Sequence, residues 1–292
     1  MLFSRSVMLR SILVATALAL FAAPGAEAET STSTSTNWSG YVAHRSGVNF
    51  RHLSALWTQP TATCTAGDPT YSAVWVGLGG YSLKSQALEQ IGTEADCTAS
   101  GSVVSTAWYE LVPAPSRGIR MTVHPGDVMH GMVTVVGHKV TLDLTDRTRH
   151  KSFSKTVTDS TLDVTSADWI VEAPSECNGN GTLCQALPLA DFGSETFAEA
   201  EAETKNAVPS AISSWRWDTT EITLAPGGRE YAGYETTGEG ESSPSILADS
   251  GSSFMLTYSA VTPPPVQEPE SPPYEAQRAL GGGRLQPGGT RR

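Results

Sequence analysis

Val140-Thr141-Leu142-Asp143-Leu144 sets apolar side chains at every second position, and Phe254-Met255-Leu256-Thr257-Tyr258 does so again with Phe254, Leu256 and Tyr258. Successive side chains of a strand point to opposite faces, so a period of two marks half-buried antiparallel strands. Short segments of this kind, separated by frequent turn signals, fill about 230 residues of the 292-residue chain. No segment shows a sustained helical period with caps, which argues against repeated βαβ units. Strand-length pieces at short intervals in a domain of this size fit a sandwich or a barrel. The expectation is an all-β domain over residues 37–262, built as an antiparallel two-sheet β-sandwich of the concanavalin or jelly-roll kind.

Outside that domain the composition changes. Residues 1–28 carry Arg5 and Arg10, an apolar run from Ile12 to Ala23, and then Ala26-Glu27-Ala28, the small-x-small pattern of a signal-peptidase site. The run is shorter than the roughly 20 residues that a membrane-crossing helix needs. Residues 1–28 therefore read as a signal peptide, giving a secreted, extracellular chain with no membrane partner once it is removed. Residues 29–36 read as a Ser/Thr-rich spacer and residues 263–292 as a Pro/Gly-rich disordered tail, both expected to be mobile.

Loss of Arg5, Arg10 and Glu27 takes the formal charge from −11 to −12. Phosphate binding requires a basic footprint, so no nucleic-acid partner is expected. The one dense charge run, Glu195 to Glu203, is acidic and reads as a solvated surface segment. Nothing in the sequence asks for more than a monomer.

The four cysteines, Cys64, Cys97, Cys177 and Cys184, should pair in an oxidising compartment. Cys177 and Cys184 flank the turn-forming Asn178-Gly179-Asn180-Gly181-Thr182-Leu183, so their pairing is the natural one, leaving Cys64 with Cys97. A zinc site is the competing reading, but the chain has no CxxC pair and no HExxH spacing among its six histidines, so no metal is expected.

The usual hydrolase constellations are missing: no GxSxG elbow, no papain-like cysteine and no metalloprotease helix. Asp249-Ser250-Gly251-Ser252 has the form of an aspartic-peptidase loop, but that chemistry needs two facing aspartates and the chain holds one copy. It reads as a turn opening the strand Phe254 to Tyr258. Aromatic residues gather near polar ones in Asn37-Trp38-Ser39-Gly40-Tyr41, Val74-Trp75-Val76-Gly77, Ala107-Trp108-Tyr109-Glu110 and Ala167-Asp168-Trp169-Ile170-Val171-Glu172. Each fits core packing as readily as an aromatic-lined cleft. In the last, alternation puts Glu172 with Asp168 and Ile170 on one face and Trp169 and Val171 on the other. A carboxylate beside an apolar residue is a candidate for a raised pKa, and so for general acid or base work.

The run Ala87-Leu88-Glu89-Gln90-Ile91-Gly92-Thr93 after Trp75-Val76-Gly77, then Trp108-Tyr109-Glu110, Pro125-Gly126-Asp127, Asp168 to Glu172 and the Cys177 to Cys184 loop together resemble the glutamic peptidases, or eqolisins. The resemblance covers Asn37 to Tyr258 and implies a sandwich of two antiparallel sheets, polypeptide substrates and no cofactor. It implies Gln90 and Glu172 as the catalytic pair, with Trp38, Trp75, Trp108, Tyr109 and Glu110 as cleft residues that bind substrate. Two departures stand out: the fungal members carry an aspartate where this chain has Gly79, and Tyr81 to Gln86 replace an Asp-rich segment.

The chemistry implied is direct hydrolysis by an acid endopeptidase. Glu172 takes a proton from water and returns it to the leaving amine, while Gln90 holds the water and donates N–H to the oxyanion. With a glutamate pKa near about 4.3 this base would work at low pH, where a histidine is protonated. Two other readings remain: a sandwich glycosidase using Glu110 and Glu172 as its carboxylate pair, or a carbohydrate-binding or adhesive module in which the tryptophans alone matter.

Overall fold

The computed structural model describes residues 30–177, 184–205, 207–226, 235–236 and 240–261; the signal and tail segments read above lie outside them. In chain order the strands begin with β1 (Thr30–Ser35), β2 (Trp38–His44), β3 (Phe50–Thr58), β4 (Ala73–Gly79), β5 (Leu88–Cys97), β6 (Val103–Val112) and β7 (Arg117–Ile119). Next come β8 (Val128–Val136), β9 (Lys139–Asp146), β10 (Lys151–Thr158), β11 (Ser166–Glu172), β12 (Ser175–Cys177) and β13 (Cys184–Ala186). The last are β14 (Ser194–Thr204), β15 (Ser210–Ala211), β16 (Asp218–Leu224), β17 (Glu235–Thr236), β18 (Glu241–Pro244) and β19 (Phe254–Ser259).

Two layers form the expected all-β sandwich. One runs β10-β9-β8-β3-β14 and the other β14-β19-β18-β16-β2-β11-β4-β5-β6-β7, so β14 belongs to both. Ser194 to Phe197 pair with β19, and from Ala198 onward the strand pairs with β3. The register shifts between Ala198 and Glu201, where Glu199 takes a φ of 49°, and this bulge re-aims the strand from one layer to the other. Pairing is antiparallel along this path; β1 with β16 and β13 with β17 are parallel.

The alternating segments pack as their periodicity requires. Val140, Leu142 and Leu144 of β9 and Phe254 and Leu256 of β19 enter a core shared with Leu53, Trp57, Val76, Trp169 and Phe197. Each such side chain removed from water contributes on the order of 1.5–3 kcal/mol. The large indoles also find partners for their N–H groups: Trp57 Nε1 donates to Thr93 Oγ1 at 2.9 Å and Trp169 Nε1 to the Ser54 carbonyl at 3.0 Å. Gly131 makes room for Trp57, since a Cβ there would lie 2.7 Å from Trp57 Cη2.

Two segments differ from their sequence reading. Thr30 to Ser35, expected to be a mobile spacer, is strand β1, in register with Thr219 to Leu224 of β16. Low-complexity Ser/Thr composition conceals this because the pairing uses backbone groups and β-branched threonines suit a strand. The acidic run is likewise not wholly solvated. It forms β14, where Phe197, Ala200 and Ala202 face the core and Glu195 is only 3% exposed. Cys64 and Cys97 form a disulfide with a Cα separation of 5.3 Å. Cys177 and Cys184 stand opposite each other in the β12–β13 register, but their side chains lie outside the described residues. Asp249-Ser250-Gly251 is a 3-10 turn leading into β19, with Asp249 Oδ2 accepting from Ser253 Oγ at 2.6 Å.

Candidate active site

The layer that contains β11 has a second apolar cluster on the face turned away from the core. Trp38 and Val42 from β2, Ile170 from β11, Ala73 and Trp75 from β4, Leu88 from β5, Trp108 from β6 and Ile222 from β16 form it. Strand register explains the gathering: Ile170 lies beside Trp75, Trp75 beside Gly92, and Gly92 beside Trp108. Gly92 is required between the two indoles, because a Cβ there would fall 2.3 Å from the Val74 carbonyl oxygen and 2.6 Å from Trp75 Cβ. Trp38 meets Trp75 edge-on, with ring centroids 5.0 Å apart.

Glu172 stands at the end of β11 on this floor, while Trp169 and Val171 point into the core, as alternation requires. Its Oε2 accepts from Trp75 Nε1 at 2.7 Å and its Oε1 from Asn37 Nδ2 at 3.5 Å. Burial among the tryptophans pushes the Glu172 carboxyl up to about 8. The Trp75 bond opposes this, the negative charge of Glu110 adds to it, and Trp38 and Asn37 also favour the charged form.

Gln90 lies on β5, between Gly77 of β4 and Glu110 of β6. It is 4% exposed, and its Nε2 donates to Glu110 Oε2 at 2.7 Å. Its Oε1 accepts no hydrogen bond among the described residues. Glycine at 77 lets the neighbours close in: a Cβ there would meet Trp75 Cζ3 at 3.0 Å and Gln90 Cβ at 3.1 Å. Trp75 therefore touches both halves of the site, with its N–H on Glu172 and its ring over the glycine next to Gln90. Burial also raises the Glu110 carboxyl, against the bonds it receives from Gln90 and from the Ser116 backbone.

The segment after β4 turns over one end of this face through Gly79 and Gly80, both at positive φ. Tyr81 stacks on His44 with centroids 4.6 Å apart, and its hydroxyl and His44 Nε2 lie 3.0 and 2.8 Å from Thr220 Oγ1. Asp163 fastens the same segment, accepting from the Gly80 amide at 3.4 Å and from Ser85 Oγ. The space that a side chain at residue 79 would take is filled by Asp163, whose Cβ lies 2.7 Å from the Cβ position of Gly79.

Of the residues singled out in the sequence, Trp38, Trp75, Gln90, Trp108, Glu110 and Glu172 meet on one sheet face. Tyr109 does not join them: it packs against the core and stacks on Phe153 at 5.7 Å. Alternation carries that information, since Tyr109 lies between two residues whose side chains share the opposite face. Asn37, Asp163 and Ser116 were not singled out. Only Asn37 left a trace, as the neighbour of Trp38. Among the described residues no group of three His, Cys, Asp or Glu side chains could hold a metal ion.

The fold and this face define a β-sandwich protein with a partly buried carboxyl group and a buried primary amide on an aromatic-lined floor. A model of the Peptidase A4 family matches residues 36–226, and the chain belongs to that family. It is 32% identical to scytalidopepsin B of Scytalidium lignicola over 162 residues, which is 53% of this chain and 58% of that relative. The chain thus spans under two thirds of that curated relative's length. In fold it is similar to scytalido-glutamic peptidase, crystallised with a peptide-based transition state analogue. That likeness has a TM-score of 0.62 and 22% identity, covering 77% of this chain and 98% of the other. It is also similar to aspergilloglutamic peptidase from Aspergillus niger, with a TM-score of 0.50 and 24% identity over 65% and 99% of the two chains.

Proposed function

We propose that this chain is an endopeptidase that hydrolyses polypeptides by direct attack of water, with Glu172 as general base and then general acid, and Gln90 as the group that positions water and stabilises the oxyanion. The observation that carries the reading is the arrangement of those two side chains on one aromatic floor. Glu172 is oriented by Trp75, and Gln90 is buried with its amide oxygen accepting no hydrogen bond among the described residues. Water placed between them would donate one proton to the Glu172 carboxylate and another to Gln90 Oε1.

Attack forms the C–O bond, and the carbonyl oxygen takes the negative charge. The second N–H of Gln90 Nε2 is the oxyanion donor. Collapse breaks the C–N bond as the proton held by Glu172 passes to the amine, leaving a carboxylic acid and an amine. No covalent enzyme intermediate forms in this scheme. The apolar floor of Trp38, Trp75 and Trp108 would take substrate side chains.

The raised carboxyl changes the expected working pH. At about 8, unliganded Glu172 is protonated throughout the acid range, so the ordinary glutamate value does not set its activity. Water hydrogen-bonded to the carboxylate favours the charged form and brings the value down. The acid limb of kcat/KM should therefore fall between the ordinary glutamate value and about 8. Export is part of this proposal: residues 1–28 have the signal pattern, and the Cys64–Cys97 bond suits an oxidising compartment.

The test is turnover by Glu172→Gln and Gln90→Ala beside the parent chain. Glu172→Gln should abolish cleavage, and Gln90→Ala should lose on the order of 10² to 10³ in kcat. Folded variants with parent turnover would refute the assignment. The glycosidase reading is weaker because Glu110 accepts from the Gln90 amide and two strands, β5 and β4, lie between its own strand and that of Glu172.

A further inference from the structure

We infer that Glu110 is a positioning residue that fixes which end of the Gln90 amide faces the cleft. This inference rests on the peptidase reading above and adds a third residue to it. A primary amide can present either its oxygen or its NH2 group, and burial alone does not choose between them. An ionised carboxylate can only accept, so a neighbour of that kind forces the NH2 end toward itself. Glu110 stands in register opposite Gln90, and its Oε2 is 2.7 Å from Gln90 Nε2.

The consequence is that Gln90 Oε1 points away from Glu110 as a buried acceptor with no partner among the described residues, ready for water. The N–H not used by Glu110 remains for the oxyanion. Glu110 is itself hydrogen-bonded by the Ser116 backbone, in the β6–β7 connection. Among the described residues, the other charged groups that reach Glu110 are Glu94 on β5 and Glu172 on β11. The negative charge of Glu110 also raises the Glu172 carboxyl, so the residue has an orienting effect and an electrostatic effect that different variants separate.

Glu110→Gln keeps the shape but removes both effects, because a second amide can meet Gln90 with either end. It should lower kcat about tenfold with little change in KM. It should also move the acid limb of kcat/KM down by about one pH unit, since a like charge beside Glu172 is gone. Glu110→Asp keeps the charge but shortens the reach, so kcat should fall while the limb stays nearly in place. A purely structural Glu110 would move neither the limb nor the split between kcat and KM in this pattern.

One readout needs no turnover. In 15N-labelled protein, the two side-chain NH2 protons of Gln90 should be widely separated in the parent chain, with one held on Glu110, and should converge in Glu110→Gln. Equal separation in both folded proteins would overturn the inference whatever the activity. If Gln90→Ala and Glu172→Gln are inactive but folded Glu110→Gln keeps the parent kcat and limb, the inference fails and the peptidase reading stands. If the parent chain cleaves nothing, the peptidase reading fails, and the role of Glu110 in catalysis fails with it.

Discussion

The indole Nε1 of Trp75 stands 2.7 Å from Oε2 of Glu172, across the β4–β11 pairing, beside the apolar cluster of Trp38, Ala73, Trp108 and Ile170. A hydrogen bond to a charged acceptor in such surroundings stabilises the ionised form, here against the burial that raises it. Trp75→Phe keeps an aromatic ring and removes the donor. Such bonds are worth about 1.5–3 kcal/mol, so the acid limb of kcat/KM should move up by about one to two pH units. The pH profile of the folded variant checks this, and a limb that stays or falls would contradict it.

Adjacent residues of β6 serve different faces. Trp108 belongs to the apolar cluster with Trp38 and Trp75, and Tyr109 packs on the core, stacked on Phe153. Tyr109→Phe should therefore leave kcat/KM within about twofold, while Trp108→Ala removes a large apolar contact and should raise KM about tenfold or more. Steady-state kinetics on one peptide decides this; a large loss in Tyr109→Phe with normal Trp108→Ala would reverse the facing.

Burial sets the pH dependence of stability as well. Glu89 and Glu195 are 1% and 3% exposed, and desolvation raises both from 4.5 to about 8. A carboxyl whose folded pKa exceeds its unfolded value contributes stability that is fully present below about 4.5 and is lost as pH rises toward 8. Asp127 works in the opposite sense. Burial raises it, but the His124 amide and the Arg149 guanidinium outweigh that and hold it below 3.8, so its contribution is lost in strong acid. Tm should be greatest near pH 4 and fall toward neutrality, with a shallower fall in Glu195→Gln. Thermal scans from pH 3 to 8 test this, and a Tm that rises toward pH 8 would be the opposite result.

The Cys64–Cys97 bond links residues 33 apart in sequence and ties the segment before β4 to the end of β5. Closing a loop of that length restricts the unfolded chain by about 3 to 4 kcal/mol in the chain-entropy picture. The double variant Cys64→Ser/Cys97→Ser should lose stability of that order in urea, with activity retained below its transition, because neither cysteine lies on the cleft floor. An unchanged urea midpoint would mean that the bridge contributes nothing.

Legibility in the sequence followed the range of each interaction. Alternation within Val140 to Leu144 and Ala167 to Glu172 is enough for strands and for the face on which Glu172 stands, because those depend on neighbours along the chain, whereas it fits a barrel as well as a sandwich. The partners of Glu172 were not readable in that way: Trp75 and Asn37 are 97 and 135 residues away and meet it only through sheet order. The same holds for β1, whose Ser/Thr residues carry no apolar period yet pair with β16. Gln90 and Glu172 are paired by the family resemblance alone, whereas the place of Tyr109 follows from strand alternation, which sets it on the face opposite Trp108 and Glu110. Asp163 filling the space beside Gly79 depends on the path of the loop between β10 and β11, which no local pattern encodes.

The most direct measurement is cleavage of a denatured protein substrate by the mature chain between about pH 2 and pH 8, in the presence of pepstatin, beside Glu172→Gln and Gln90→Ala. The span brackets the ordinary glutamate value and the raised Glu172 value of about 8. The expected result is pepstatin-resistant cleavage that rises with pH across that interval and is lost in Glu172→Gln and severely reduced in Gln90→Ala, both folded. Cleavage that survives in either folded variant at the parent rate, or no cleavage at any pH, would contradict the assignment of Glu172 and Gln90 as the catalytic pair.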